Sequence, residues 1–141
     1  MSRGRIPYEI RERVRLAAAD RCGYCQSRQE LVLGRLQLEH IIPSAKGGSD
    51  IEENLWLACS LCNSHKGVQT EAPDPVTGEN SPLFNPRQQN WSEHFRWVET
   101  GTQIEGLTPC GRATVVALQL NNVLAVTVRR AWVRAGWHPS E

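Results

Sequence analysis

Leu38-Glu39-His40-Ile41-Ile42-Pro43 sets an acid beside a histidine at the end of an apolar run. The chain continues through Ala45-Lys46-Gly47-Gly48-Ser49-Asp50 and Glu53-Asn54-Leu55 to Cys59-Ser60-Leu61-Cys62-Asn63-Ser64-His65-Lys66. The order is acid, base, glycine-containing loop, asparagine, and a C-x-x-C that carries its own polar side chain. It suits metal-assisted hydrolysis, in which a base activates water and a cation stabilises charge growing on a phosphate and its leaving oxygen. His40 is the natural base, because its unperturbed pKa lies near working pH. Glu39 carries a hard oxygen suited to Mg²⁺ or Mn²⁺. Adjacent strand residues point to opposite sides, so these two share one site only where the strand ends or twists. Pro43 and the loop after it place such an end nearby.

Four of the five cysteines form two C-x-x-C pairs, Cys22/Cys25 and Cys59/Cys62. Each knuckle supplies two thiolates, and four sulfurs close a tetrahedral Zn²⁺ shell with no open position, which predicts a structural zinc site. An odd cysteine count argues against a disulfide framework. Cys110 is left over and reads as a small buried hydrophobe. Gly23 lets the backbone turn around the metal, and Tyr24 reads as a cover for the zinc.

Upstream, Ile10, Val14, Ala17 and Ala18 recur at helical spacing behind Pro7, predicting an amphipathic helix from about Pro7 to Ala19. Leu31, Leu33, Leu36, Leu38 and Ile41, with Gly34-Arg35 between two halves, suggest a hairpin of short strands. Pro43 to Glu53 is a loop, Asn54 to Ala58 a strand, and the second knuckle runs into a short helix ending near Gly67. Glu71 to Arg87 holds Pro73, Pro75, Gly78, Pro82 and Pro86 and reads as a long connection pinned by Leu83 and Phe84. A hairpin around Thr100-Gly101 follows, with strands near Phe95 to Glu99 and Gln103 to Gly106. Thr108 and Pro109 open a helix to about Leu120 with Val115, Val116 and Leu118 on its apolar side. Asn121 or Asn122 caps a second helix with Leu124, Val128, Ala131, Trp132 and Ala135 on one stripe, ended by Gly136.

A formal net charge of +1 on 141 residues exerts no global pull toward nucleic acid. The distribution says more. Residues 1 to 35 hold eight arginines against four acids, a local excess of +4, so a phosphate-tracking surface is expected to begin there, with Arg11 and Arg15 as its contacts. A solvated helix face with intrahelical pairs such as Glu9 and Arg13 is the plainer alternative. No apolar run reaches the eighteen or so residues needed to cross a bilayer, and the basic start lacks a secretory apolar segment, so a cytoplasmic protein without membrane association is expected.

Between Cys22 and Gly67 these residues resemble the HNH motif of the His-Me finger (ββα-metal) endonucleases. The resemblance implies that His40 is the general base, that Glu39 and Asn63 hold a catalytic divalent cation, and that Asn54 bridges the loop and orients the base. The family often has Asp where Glu39 stands and His where Asn63 stands. A neutral Asn oxygen favours Mg²⁺ or Mn²⁺ over softer ions. On a helix His65 lies about 200° around from Asn63, whereas Lys66 shares the Asn63 face and is a candidate phosphate contact. Lys46, in the loop, is another.

The expected fold is therefore α+β: a small zinc-stabilised ββα-metal core over residues 1–70, then a Pro-rich connection, hairpin and helical C-terminal region over 71–141, packed on the core. The expected function is metal-dependent endonucleolytic cleavage of DNA, by nicking or double-strand cutting, with structural Zn²⁺ and catalytic Mg²⁺ or Mn²⁺. The alternatives are a nuclease for structured RNA and a zinc-stapled nucleic-acid-binding module that cuts nothing. Sequence specificity and oligomeric state are not legible in the chain.

Overall fold

The computed structural model describes residues 6–139. Two units are distinguished: one runs to Val68 and takes in Asn85–Arg87, and the other consists of Gln69–Phe84 and the chain from Gln88 onward. The architecture is α+β, with short two-stranded sheets and short helices.

In the first unit, helix α1 (Tyr8–Ala17) starts one residue later than the proline spacing suggests, with Pro7 as its N-cap. The Pro7 carbonyl accepts from the N–H groups of Ile10 and Arg11, so the residue without a donor stands where no donor is needed. Val14 and the following Ala18 are the buried face. Strands β1 (Gln37–His40) and β2 (Leu55–Ala58) pair antiparallel with His40 opposite Leu55 and Glu39 opposite Trp56. Helix α2 (Ser60–Lys66) begins at Cys59, whose sulfur accepts from the Cys62 N–H, and stops at Gly67 in a positive-φ conformation. Ala18, Leu36 and Leu57 form a small core, joined by Val32, Leu38 and Trp56.

The hairpin expected between Leu31 and Ile42 is not formed. Residues 29–31 make a 3-10 turn, and the Gln29 side chain donates to the Gly34 carbonyl and accepts from the Leu36 N–H. These bonds fold the segment into a compact loop that leaves Leu33 exposed. β1 pairs instead with β2, whose Leu55, Leu57 and Ala58 are fully buried. Alternation in Leu31–Leu33 is too short to outweigh that burial.

In the second unit, Glu71 to Arg87 is more ordered than an irregular connection. Strands β3 (Glu71–Pro73) and β4 (Asn80–Pro82) form a hairpin, and Asp74, fully buried at its turn, accepts from the Val76 N–H and the Thr77 hydroxyl. Leu83 and Phe84 are buried as expected. A one-turn helix α3 (Trp91–His94) leads into the expected hairpin, β5 (Phe95–Val98) with β6 (Gln103–Gly106). Helix α4 (Pro109–Ala117) is capped by the Thr108 hydroxyl accepting from the Gly111 N–H, and α5 (Val123–Ala135) by the Asn122 side chain accepting from the Ala125 N–H.

The faces of these two helices differ from the apolar reading. Val116 is exposed, while Leu118 at the C-cap is fully buried as expected and α4 itself buries Gly111, Ala113 and Thr114. On α5, Leu124, Ala131 and Ala135 are exposed while Arg129 and Trp132 are buried. Arg129 donates to the carbonyls of Thr102 and Leu120 and lies over the Trp97 ring. A guanidinium that satisfies otherwise unpaired carbonyls can occupy a helix face that a count of apolar residues assigns elsewhere. No helix among the described residues is long and apolar enough to cross a membrane.

Candidate metal centre and histidine site

The Sγ atoms of Cys22, Cys25, Cys59 and Cys62 all lie within 4.8 Å of one another. A tetrahedral zinc with Zn–S near 2.3 Å needs sulfurs about 3.8 Å apart, and Cys25 and Cys59 are separated by 3.7 Å. Hydrogen bonds from the neighbouring thiols, Cys22 first, hold Cys25 well below the ordinary thiol range, whereas burial pushes Cys22 well above it. A divalent cation resolves that conflict by favouring the thiolate at all four positions. The four residues fit a structural zinc, and they tie the loop after α1 to the start of α2.

Both knuckles also carry a partner for Glu39. This carboxylate is only 1% exposed. Tyr24, between the first two cysteines, donates its hydroxyl to Glu39 Oε2 at 2.9 Å. Lys66, one turn after Cys62, sets its Nζ 2.7 Å from Glu39 Oε1 and is 3% exposed. The lysine contact is an ion pair without hydrogen-bond geometry at Oε1, the ammonium donating to the carbonyls of His40 at 3.2 Å and Ile41 at 3.0 Å. Burial raises the Tyr24 phenol well above its usual value, with the Glu39 charge reinforcing it. Tyr24 is thus more than a cover for the zinc: it anchors the acid beside the histidine.

This network changes two expectations. Lys66, expected at a phosphate, is instead withdrawn from the surface, its ammonium set against Glu39 and the His40 and Ile41 carbonyls. Glu39 does not fit an open cation site in this arrangement, since one oxygen takes the Tyr24 hydroxyl and the other faces an ammonium. Its expected co-ligand Asn63 donates its side-chain amide to Gln37 Oε1 at 2.8 Å. Residues 37 and 39 share the strand face that meets α2, and 40 points to the other side.

His40, at the last position of β1, keeps its side chain 18% exposed. The loop that follows is shaped around Asn54. Its Oδ1 accepts from the Ile42 N–H, and its Nδ2 donates to the carbonyls of Ile42 and Ser49. Gly47 turns the chain at φ 88°, and Gly48 lies so close to the Ile42 carbonyl that a Cβ there would collide with backbone. The loop therefore returns toward β1 and brings Asp50 Oδ1 to 2.7 Å from His40 Nε2. Asp50 escaped the sequence reading. The only signal available was an acid on the far side of a Gly-Gly turn, and nothing in the spacing said that the turn folds back.

Three arginines of the arginine-rich start form ion pairs within the chain. Arg13 pairs with Glu52 at 2.8 Å, Arg28 with Glu30 at 2.6 Å, and Arg15 sits 3.7 Å from Glu12. Arg15 has a side chain only 12% exposed and a buried guanidinium nitrogen, so it is withdrawn from any phosphate surface. Arg11 is half-buried and Lys46 is exposed on the loop. Arg3 and Arg5 lie outside the described residues. His94 and His138 bond Thr108 and the Gly101 carbonyl respectively. Cys110 is half-buried, with burial raising its thiol.

The family model described as HNH endonuclease matches residues 22–69. The resemblance to HNH endonucleases therefore holds over the stretch that contains both knuckles, the His40 strand and the Asn54 loop, and it ties that stretch to nuclease or nucleic-acid-binding function. No curated protein and no solved structure gives a significant match to the chain.

Proposed function

We propose that the chain is an HNH endonuclease that hydrolyses phosphodiester bonds in DNA, with His40 as the general base. The observation that supports this best is a histidine held at the open end of β1, between a backbone clamped by Lys66 and a loop tied down by Asn54. In the reaction His40 takes a proton from water as the water oxygen bonds to phosphorus. The P–O3′ bond breaks with its electron pair going to the 3′ oxygen, which takes a proton from solvent, leaving a 3′-hydroxyl and a 5′-phosphate. Mg²⁺ or Mn²⁺ is the cation we propose for this hydrolysis. A cation at Glu39 requires Lys66 to leave its carboxylate. Cys22, Cys25, Cys59 and Cys62 would hold zinc as a fold element.

The second reading, a zinc-stapled module that binds nucleic acid without cutting it, is favoured by the burial of Glu39. Incubating the purified protein with supercoiled plasmid in Mg²⁺, Mn²⁺ or chelator separates the two. Nicked or linear product in the presence of a cation is expected, and His40→Ala should lose about two to four orders of magnitude in rate while keeping its zinc. A His40→Ala protein that cuts at the original rate removes His40 as the base.

A further inference from the structure

The imidazole of His40 has two nitrogens, and only one can present a lone pair while the other carries the proton. Its Nε2 stands 2.7 Å from Asp50 Oδ1. An ionised carboxylate accepts hydrogen bonds and cannot donate them, so this contact requires the proton on Nε2 and puts the basic lone pair on Nδ1. Asp50 is not held there by chance of a long side chain. It follows a loop whose path is determined by three Asn54 hydrogen bonds and by the approach of Gly48 to the Ile42 carbonyl.

Resting on the nuclease reading above, we infer that Asp50 is the positioning residue of the general base: it selects the Nε2–H tautomer of His40, aims Nδ1 at the attacking water, and stabilises the imidazolium formed when that water gives up its proton. The logic is that of an acid–histidine pair in which the acid never takes the proton itself. It also distinguishes the roles of two neighbours. Lys66 restrains the backbone at His40, whereas Asp50 acts on the ring.

The test uses the zinc-loaded full chain labelled with ¹⁵N-histidine. Long-range ¹H–¹⁵N correlation on the neutral ring identifies the tautomer, and the His40 signals are those absent from His40→Ala. The wild-type ring is expected as the Nε2–H form. Asp50→Asn, whose amide can donate as well as accept, should give a mixture of tautomers. In the plasmid assay it should lower kcat about 10- to 100-fold with KM little changed, and Asp50→Glu should recover part of the loss. A wild-type His40 carrying its proton on Nδ1 overturns the inference even if Asp50→Asn fails to fold. So does an Asp50→Asn protein with unchanged tautomer and unchanged kcat. Full activity in His40→Ala would instead defeat the nuclease role of His40, while the tautomer measurement would still report on the Asp50 contact.

Discussion

The two units bury charge in opposite ways. In the first, the charged pair at the centre, Glu39 with Lys66, is assembled by the metal knuckles: Tyr24 comes from one and Lys66 from the helix that leaves the other. Its apolar core is small, and a zinc at the four cysteines would tie together elements that otherwise have little to hold them. In the second, Asp74 is held by a bidentate pair with Arg112 at 2.9 and 2.8 Å, inside a unit whose packing comes from aromatic contacts. Phe84 meets Phe95, Phe95 meets Trp91 and Trp91 meets Trp97, with ring centroids 5.1, 5.2 and 5.4 Å apart. The contrast teaches that a buried carboxylate can be held by groups carried on the cysteine knuckles beside it or by a guanidinium from a packed helix, and that the two depend on different parts of the fold.

The largest expected effect is loss of the zinc. Structural zinc contributes about 10–16 kcal/mol of apparent binding free energy in small finger peptides. Cys59→Ser should therefore lose the ion and the β1–β2 structure together, measured by native mass spectrometry and circular dichroism. The near-ultraviolet signal of Trp91, Trp97 and Trp132 should persist. If it collapses with the zinc, the second unit does not stand on its own packing and the contrast fails.

Next in size is Lys66→Met, which strands Glu39 in the interior at a cost of about 3–5 kcal/mol. Adding Glu39→Gln should return much of the lost thermal stability. A double variant as unstable as the single one would mean that Lys66 acts through the His40 and Ile41 carbonyls alone.

Asp74→Asn sharpens the other side of the comparison through pH. The Arg112 guanidinium, against the opposing effect of burial, holds the Asp74 carboxyl well below its ordinary range. A depressed pKa stabilises the fold above the unfolded value, about 3.9, and the contribution fades as pH falls below it. The melting gap between wild type and Asp74→Asn should thus be full at pH 7 and pH 5 and narrower at pH 3. A gap independent of pH would mean that the Asp74 charge contributes nothing to stability and that the substitution acts through packing at the turn.

The smallest effect belongs to Arg13→Ala. Its partner Glu52 is held below its usual range chiefly by the hydrogen bond from Arg13, but the pair is solvent-exposed and screened. Only a slight drop in melting temperature is expected, vanishing in high salt. A large, salt-insensitive drop would make α1 part of the site's scaffold.

Residue order alone determined a good deal here. Two C-x-x-C pairs need four convergent sulfurs, so the four-cysteine cluster, the short helix that carries Cys62 and its stop at Gly67 were legible. Caps that work through local hydrogen bonds, Thr108 and one of Asn121 and Asn122, were legible because such partners lie three residues away, and the structure chose Asn122. The hairpin around Thr100-Gly101 was marked by its turn. Tertiary structure decided the rest, wherever a partner lay far along the chain. β1 chose β2 over its neighbour, Asp50 came back to His40 across ten residues, and Lys66 reached Glu39 from 27 residues on to become a buried counter-ion. Spacing and periodicity describe what one segment can do by itself, whereas a side chain's charge is exposed or spent according to which distant oxygen or nitrogen the packed chain sets against it.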